Sequence, residues 1–159
     1  MKHITFWFIN LTIVFGQAPQ ALNDQVDQIA DRIESKVIEW RRDFHQNPEL
    51  SNREFRTAEK VAEHLKSLGM EVQTGVAHTG VVGLLKGGRP GKVVALRADM
   101  DGLPVKEKAD LPFASKAKGI YQGNEVDVMH ACGHDIHMTV LMGTARYMVE
   151  NKDKWQGDL

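Results

Sequence analysis

The chain has 159 residues, of which 42% are hydrophobic and 26% are charged, and its formal net charge is -1. This composition is typical of a soluble globular protein. The 20 Lys and Arg residues balance 21 Asp and Glu residues, with no basic run or interleaved aromatic stripe, which excludes the usual electrostatic footprint of a nucleic-acid partner. The single cysteine excludes an internal disulfide.

Residues 1–21 have the pattern of a secretory signal peptide. A basic start is followed by an apolar run at 4–15 and then by small residues, with Ala18 and Ala21 as candidate cleavage positions. A membrane anchor is the alternative, but spanning needs about 18 or more apolar residues, and this run is shorter and carries Asn10. We therefore expect an exported protein, periplasmic or secreted, with no stable membrane anchor.

Two amphipathic helices are predicted next. From Asn23 onward, apolar residues recur three or four positions apart over about 20 residues, and Pro48 ends this helix. Ser51 and Glu54 have the spacing of a capping box, which predicts the start of a second helix that closes at Gly69.

Three short strands are predicted after the second helix, at about 70–74, 80–86 and 92–97. The glycine-rich segment 87–91 joins the last two as a hairpin or short loop. Residues 93–96 are continuously apolar, as expected for a strand that is buried on both faces of a sheet. This arrangement predicts an α/β fold in which a sheet is flanked by helices.

Asp99 and Asp101 follow directly after the third predicted strand. In open α/β sheets ligands bind just beyond the carboxyl ends of the strands, so both carboxylates are candidate site residues. The alternative is that they only begin a polar turn. The long segment 105–128 shows no clear period, and its residues 112–114 would place a hydrophobic edge over the site.

The segment Met-His-Ala-Cys-Gly-His-Asp-Ile-His, residues 129–137, holds three histidines, the only cysteine and an aspartate. These residue types bind borderline-soft divalent cations once deprotonated. Gly133 permits a tight bend, so that Cys132 and His134 can turn toward one point, and the apolar spacing that follows predicts a helix. Each residue alone is more often structural, but the cluster predicts a metal site.

Four segments resemble a known family, in the family's own order. They are Arg-Arg-Asp-Phe-His-Gln-Asn-Pro-Glu-Leu-Ser at 41–51, Thr-Gly-Val-Val at 79–82, Arg-Ala-Asp-Met-Asp-Gly-Leu-Pro at 97–104 and Met-His-Ala-Cys-Gly-His-Asp at 129–135. They are similar to the metal-dependent amidohydrolases that include hippurate hydrolase, bacterial N-acyl-amino-acid amidohydrolases and plant indole-acetyl-amino-acid hydrolases, in the aminoacylase and carboxypeptidase metallopeptidase clan.

The resemblance implies that residues 22–159 are the first half of a metallopeptidase-like catalytic domain that hydrolyses the amide of a small N-acyl amino acid. It implies two divalent metal ions, manganese, zinc, cobalt or nickel, with Cys132 and His134 as ligands in this chain. In related branches a metal-binding histidine stands in the place of Asp99. Asp101 takes the place of the aspartate that supports that ligand.

The resemblance also implies parts that this sequence lacks. The general-base glutamate, further metal ligands and a smaller domain that helps form homodimers are expected beyond Leu159, and residues 155–159 have the pattern of the strand that leads to the glutamate. We therefore expect a truncated chain that is inactive alone. The alternatives are a peptidase of the same clan, although the His-Ala-Cys-Gly-His form argues against its dipeptidase and carboxypeptidase branches, and a non-enzymatic metal-binding fragment.

Overall fold

The computed structural model describes residues 20–159, and residues 1–19 of the predicted signal peptide lie outside that range. The helices are α1 (Gln20–Gln46), α2 (Phe55–Ser67) and α3 (His134–Glu150), followed by a short 3-10 helix (Lys152–Lys154). The strands are β1 (Glu71–Val76), β2 (Gly80–Leu84), β3 (Lys118–Tyr121) and β4 (Asn124–Asp127). Within the described residues, no helix combines the length and apolar content that crossing a bilayer requires.

The core forms where α1 and α3 pack against each other. Phe44 of α1 and Met138 and Met142 of α3 are almost completely buried, and partly buried apolar residues surround them. Burying each of these side chains contributes roughly 1.5–3 kcal/mol to stability. Both predicted amphipathic helices are confirmed, and α1 ends before Pro48 as expected. This packing fixes α1 beside the helix that follows the predicted metal motif.

The capping box predicted at the start of α2 is wrong. Glu54 does precede the helix, but its carboxylate accepts a hydrogen bond from the Thr79 hydroxyl at 2.7 Å and makes no cap. The carboxylate of Glu49 caps α2 instead, because it accepts the backbone N–H groups of Arg56 at 3.1 Å and Thr57 at 2.8 Å. A carboxylate at this end of a helix also interacts favourably with the helix dipole.

The strands form two separate antiparallel hairpins, β1 with β2 and β3 with β4. The first confirms two of the predicted strands. The second lies in the segment in which the sequence showed no period, and its turn places Gln122 and Gly123 at φ +50° and +82°. Glycine adopts this backbone conformation without strain, which makes Gly123 the local signal for the turn.

The prediction of a buried strand at 92–97 is wrong for the part of the chain that the structure describes. Val93, Val94 and Leu96 are 72%, 54% and 49% exposed, and only Val93 takes part in a bridge. The apolar run matches a strand covered on both faces, but burial depends on neighbouring strands and helices that a local pattern does not contain. These residues line an open cleft of about 740 Å³.

The last residues of the chain pair with two other segments. Leu85 and Leu159 exchange backbone hydrogen bonds of 2.8 and 3.0 Å, and Asp158 bridges in parallel to Val93 on its other side. Because α3 lies between Val93 and Asp158 in the sequence, this parallel bridge joins the two ends of a crossover connection that contains α3. The strand predicted to begin at 155–159 is therefore present as a short paired segment.

Candidate metal centre

The structure brings the two predicted site segments side by side. Leu103, just after the two aspartates, exchanges backbone hydrogen bonds of 2.8 and 3.0 Å with Met129, where the histidine-rich motif begins. Gly133 immediately precedes α3 at φ +82°, in the left-handed conformation that glycine adopts without a Cβ penalty. The motif therefore forms a loop that opens a helix, as its sequence predicts.

His134 is held by Asp101 through one ring nitrogen. Its Nδ1 atom lies 2.9 Å from the backbone oxygen of Asp101 and 3.0 Å from the Oδ1 atom of the same residue. Because both atoms are acceptors, this arrangement favours the tautomer in which Nδ1 carries the proton. The lone pair is then on Nε2, the nitrogen left for a metal, and this is how a hydrogen-bonded carboxylate orients metal-binding histidines.

The other two predicted site residues are Asp99 and Cys132. Asp99 lies beside the His134 ring, and Cys132 is two positions before His134 in the chain. The Oδ2 atom of Asp99 is 3.7 Å from Nε2 of His134, and its Oδ1 atom is 3.0 Å from Arg97. Cys132 is exposed, so it is not the small buried hydrophobe that a lone cysteine often is. Asp99 therefore shares the Nε2 side of the His134 ring, and Cys132 stays accessible to a ligand.

These residues fit part of a metal site. Within residues 20–159, no group of three or more His, Cys, Asp and Glu side chains is arranged to hold a metal ion. The donor set nevertheless combines a thiol, an unprotonated imidazole nitrogen and a nearby carboxylate, which suits borderline-soft divalent metals. Metal binding by Cys132 and His134 stays a prediction, and a complete two-metal site needs ligands in addition to these.

A second histidine of the motif, His130, is buried without a hydrogen-bond partner. It is 4% exposed, and neither ring nitrogen has a partner among the described residues. Burial lowers the pKa of His130 to about 4, because the protonated ring loses its hydration. The ring is therefore neutral at neutral pH.

Sequence reasoning missed a buried cluster around His45, in the last turn of α1. Its Nδ1 atom lies 2.9 Å from the Oδ2 atom of Asp135, and its Nε2 atom lies 2.9 Å from the Oε2 atom of Glu107. The same oxygen of Asp135 forms an ion pair with Nε of Arg41 at 3.0 Å. The available signal was the spacing of Arg41 and His45, which places them one turn apart on a single helix face.

Phe113 covers this cluster. Its ring packs edge-on against His45 with centroids 5.8 Å apart, and the guanidinium groups of Arg41 and Arg42 lie 5.3 and 5.1 Å from its centroid. The hydrophobic edge predicted at 112–114 therefore packs on the end of α1.

Comparison with known proteins gives the same assignment as the motifs. Residues 95–159 match the family described as Peptidase family M20/M25/M40. Thermostable carboxypeptidase 2 of Saccharolobus solfataricus is 52% identical over 128 residues, which are 80% of this chain and 30% of that protein. N-acyl-L-amino acid amidohydrolase of Geobacillus stearothermophilus is 41% identical over 136 residues, 86% of this chain and 35% of that protein.

A solved structure agrees with these matches. A Bacillus subtilis protein described as a dinuclear metal binding peptidase from the M20 family is 36% identical and superposes with a TM-score of 0.71, covering 80% of this chain and 34% of that one. The fold is therefore that of part of an M20 peptidase domain. The family match at residues 95–159 covers both aspartates and the histidine-rich motif. The predicted family resemblance and fold class are confirmed, and the chain spans about a third of the length of the curated relatives it matches.

Proposed function

We propose that this chain supplies part of the active site of a metal-dependent amidohydrolase that cleaves the amide bond of N-acyl amino acids, releasing a carboxylic acid and an amino acid. The observation that carries the proposal is the pairing of His134 Nδ1 with Asp101, which leaves Nε2 available beside Asp99. The relative named N-acyl-L-amino acid amidohydrolase supports the substrate class.

Cys132 and His134 are the proposed metal ligands of this chain, and Asp101 orients the imidazole. Two divalent ions, manganese, zinc, cobalt or nickel, would supply Lewis-acid polarisation of the amide carbonyl when bound. Asp101 has the role of fixing one tautomer and one ring direction, so that the ligand needs no reorganisation. The name of the dinuclear neighbour supports a site for two ions.

The residue that moves protons in the reaction is not assigned to this chain. A general base must reach the attacking water and later protonate the leaving amine, and we propose that a glutamate outside residues 20–159 does both. We therefore expect no turnover from this chain alone. The test is release of free amino acid from N-acetyl and N-benzoyl amino acids, measured for this chain and for any longer product of the same gene. Turnover by the chain alone would overturn the assignment of the base.

Peptide hydrolysis is the second candidate function. The identity of 52% with a protein named Thermostable carboxypeptidase 2 favours it, whereas the His-Ala-Cys-Gly-His form of residues 130–134 argues against the carboxypeptidase branch. The two functions differ in the group that supplies the carbonyl carbon of the scissile amide bond. In an N-acyl amino acid it is a simple acyl group, and in a peptide it is another amino-acid residue. A substrate panel of N-acetyl amino acids and unblocked peptides with the same carboxyl-terminal residue separates them.

We also propose that residues 1–21 direct export of the protein and that the whole protein forms homodimers. The pattern of a basic start, an apolar run and small residues supports export. Amino-terminal sequencing of the protein recovered from the periplasm or medium tests it, and an intact Met1 would contradict it. Sedimentation of the whole protein tests the dimer.

A further inference from the structure

His45 connects three segments that are far apart in the chain. Its two ring nitrogens face carboxylate oxygens of Glu107 and Asp135, each at 2.9 Å, and these three side chains are only 5%, 5% and 1% exposed. Buried charged groups are tolerated when they are paired and hydrogen-bonded, and this histidine offers one nitrogen to each carboxylate. The contact is thus a buried bridge between the loop after the two aspartates and the first turn of α3.

Each carboxylate that His45 contacts lies shortly after one of the two segments of the proposed metal centre in the sequence. Asp135 follows the ligand His134 directly, and Glu107 lies four positions after Leu103, whose backbone pairs with Met129. Besides the direct contact of His134 with Asp101, the Leu103–Met129 pair and the His45 bridge therefore join the same two segments at two further points. These attachments limit how far the Cys132–His134 turn can move relative to the Asp99–Asp101 turn.

We propose that His45 is a positioning residue of the metal centre, which acts by holding Glu107 and Asp135 together from the end of α1. The inference rests on the proposed metal site at Cys132 and His134. Glu107 has further partners in the backbone N–H groups of Lys108 and Ala109, and Asp135 has Arg41. Loss of His45 therefore leaves both carboxylates partly satisfied, but no side chain then connects them.

The test compares His45→Phe with a matched control, His64→Phe. His64 is a half-buried histidine whose Nε2 atom hydrogen-bonds the backbone oxygen of Met142 at 3.1 Å, a partner that lies outside both site segments. Each variant is titrated with Co²⁺, whose thiolate charge-transfer absorption reports binding at Cys132, and its folding is checked by circular dichroism and urea unfolding.

We expect His45→Phe to weaken Co²⁺ binding by about 10-fold, the lower end of the cost of removing a direct partner of a metal ligand, because His45 acts through Glu107 and Asp135. His64→Phe should lower the urea midpoint and leave the Co²⁺ affinity unchanged. Equal Co²⁺ affinity in the unmodified chain and the folded His45→Phe variant would overturn the proposal.

A second variant covers the case in which His45→Phe does not fold. Glu107→Gln keeps the size of the side chain and removes its charge, and it should also weaken Co²⁺ binding by about 10-fold. Unchanged affinity in this variant would overturn the role of the bridge while the metal site stands. Absence of a Cys132-dependent band in the unmodified chain would overturn both this proposal and the metal centre.

Discussion

The Nδ1 atom of His134 lies 3.0 Å from the Oδ1 atom of Asp101, a residue 33 positions earlier in the chain. This contact joins the two motifs that the sequence presents separately. It also decides which ring nitrogen of His134 is available, because the nitrogen that donates to Asp101 cannot bind a metal.

Asp101→Asn should weaken divalent metal binding by about 10-fold or more, because the neutral amide holds the His134 ring less firmly and makes it a less basic ligand. Isothermal titration with Zn²⁺ measures the change. The control is Asp127→Asn, which removes a carboxylate that pairs with Lys118 on the surface of the β3–β4 hairpin. Equal losses in the two variants would show a general charge effect and contradict the role of Asp101.

His130 should make the metal-free chain less stable in acid. The unfolded chain binds a proton at this residue below about pH 6.5 and the folded chain only below about pH 4, so the free energy of unfolding falls as the pH drops through this window. The full loss is about 3 kcal/mol. Urea unfolding at several pH values measures it.

His130→Leu should remove that part of the pH dependence and leave stability at neutral pH unchanged or higher. The reason is that leucine has a similar volume and no unpartnered ring nitrogens to bury. The other titrating groups are the same in both proteins, so the difference between the two curves isolates His130. Parallel curves would contradict the buried, unpartnered state of its ring.

Glu49→Gln should destabilise the chain by about 1 kcal/mol, since its carboxylate caps the first turn of α2. Glu59→Gln, at an exposed position further along the same helix, is the control and should change stability by less than about 0.5 kcal/mol. Equal effects in chemical unfolding would contradict the cap.

Local features were predictable from the sequence because they depend on nearby residues. The apolar spacing in α1 and α2 and the glycine before α3 each leave a signal within a few positions. The cap of α2 was not predictable in the same way. Glu54 has the right spacing, but Thr79, 25 residues later, takes its carboxylate.

The remaining errors come from contacts between distant parts of the chain. Residues 93–96 carry the composition of a central strand, yet their exposure depends on which segments lie beside them. The bridge from His45 to Glu107 joins residues 62 positions apart. No local sequence pattern at either position predicts that these two side chains meet. Local composition and the family resemblance therefore predicted Cys132, His134 and the two aspartates as site residues, but not the side chains that hold their segments together.

The proposed metal centre requires Cys132 and His134 to converge on one cation. Co²⁺ absorption spectroscopy of the unmodified chain beside Cys132→Ser tests this directly. We predict a thiolate-to-cobalt band in the unmodified chain that is absent in Cys132→Ser, with the same urea midpoint for both because Cys132 is exposed. Identical cobalt spectra for the two proteins would contradict the metal centre.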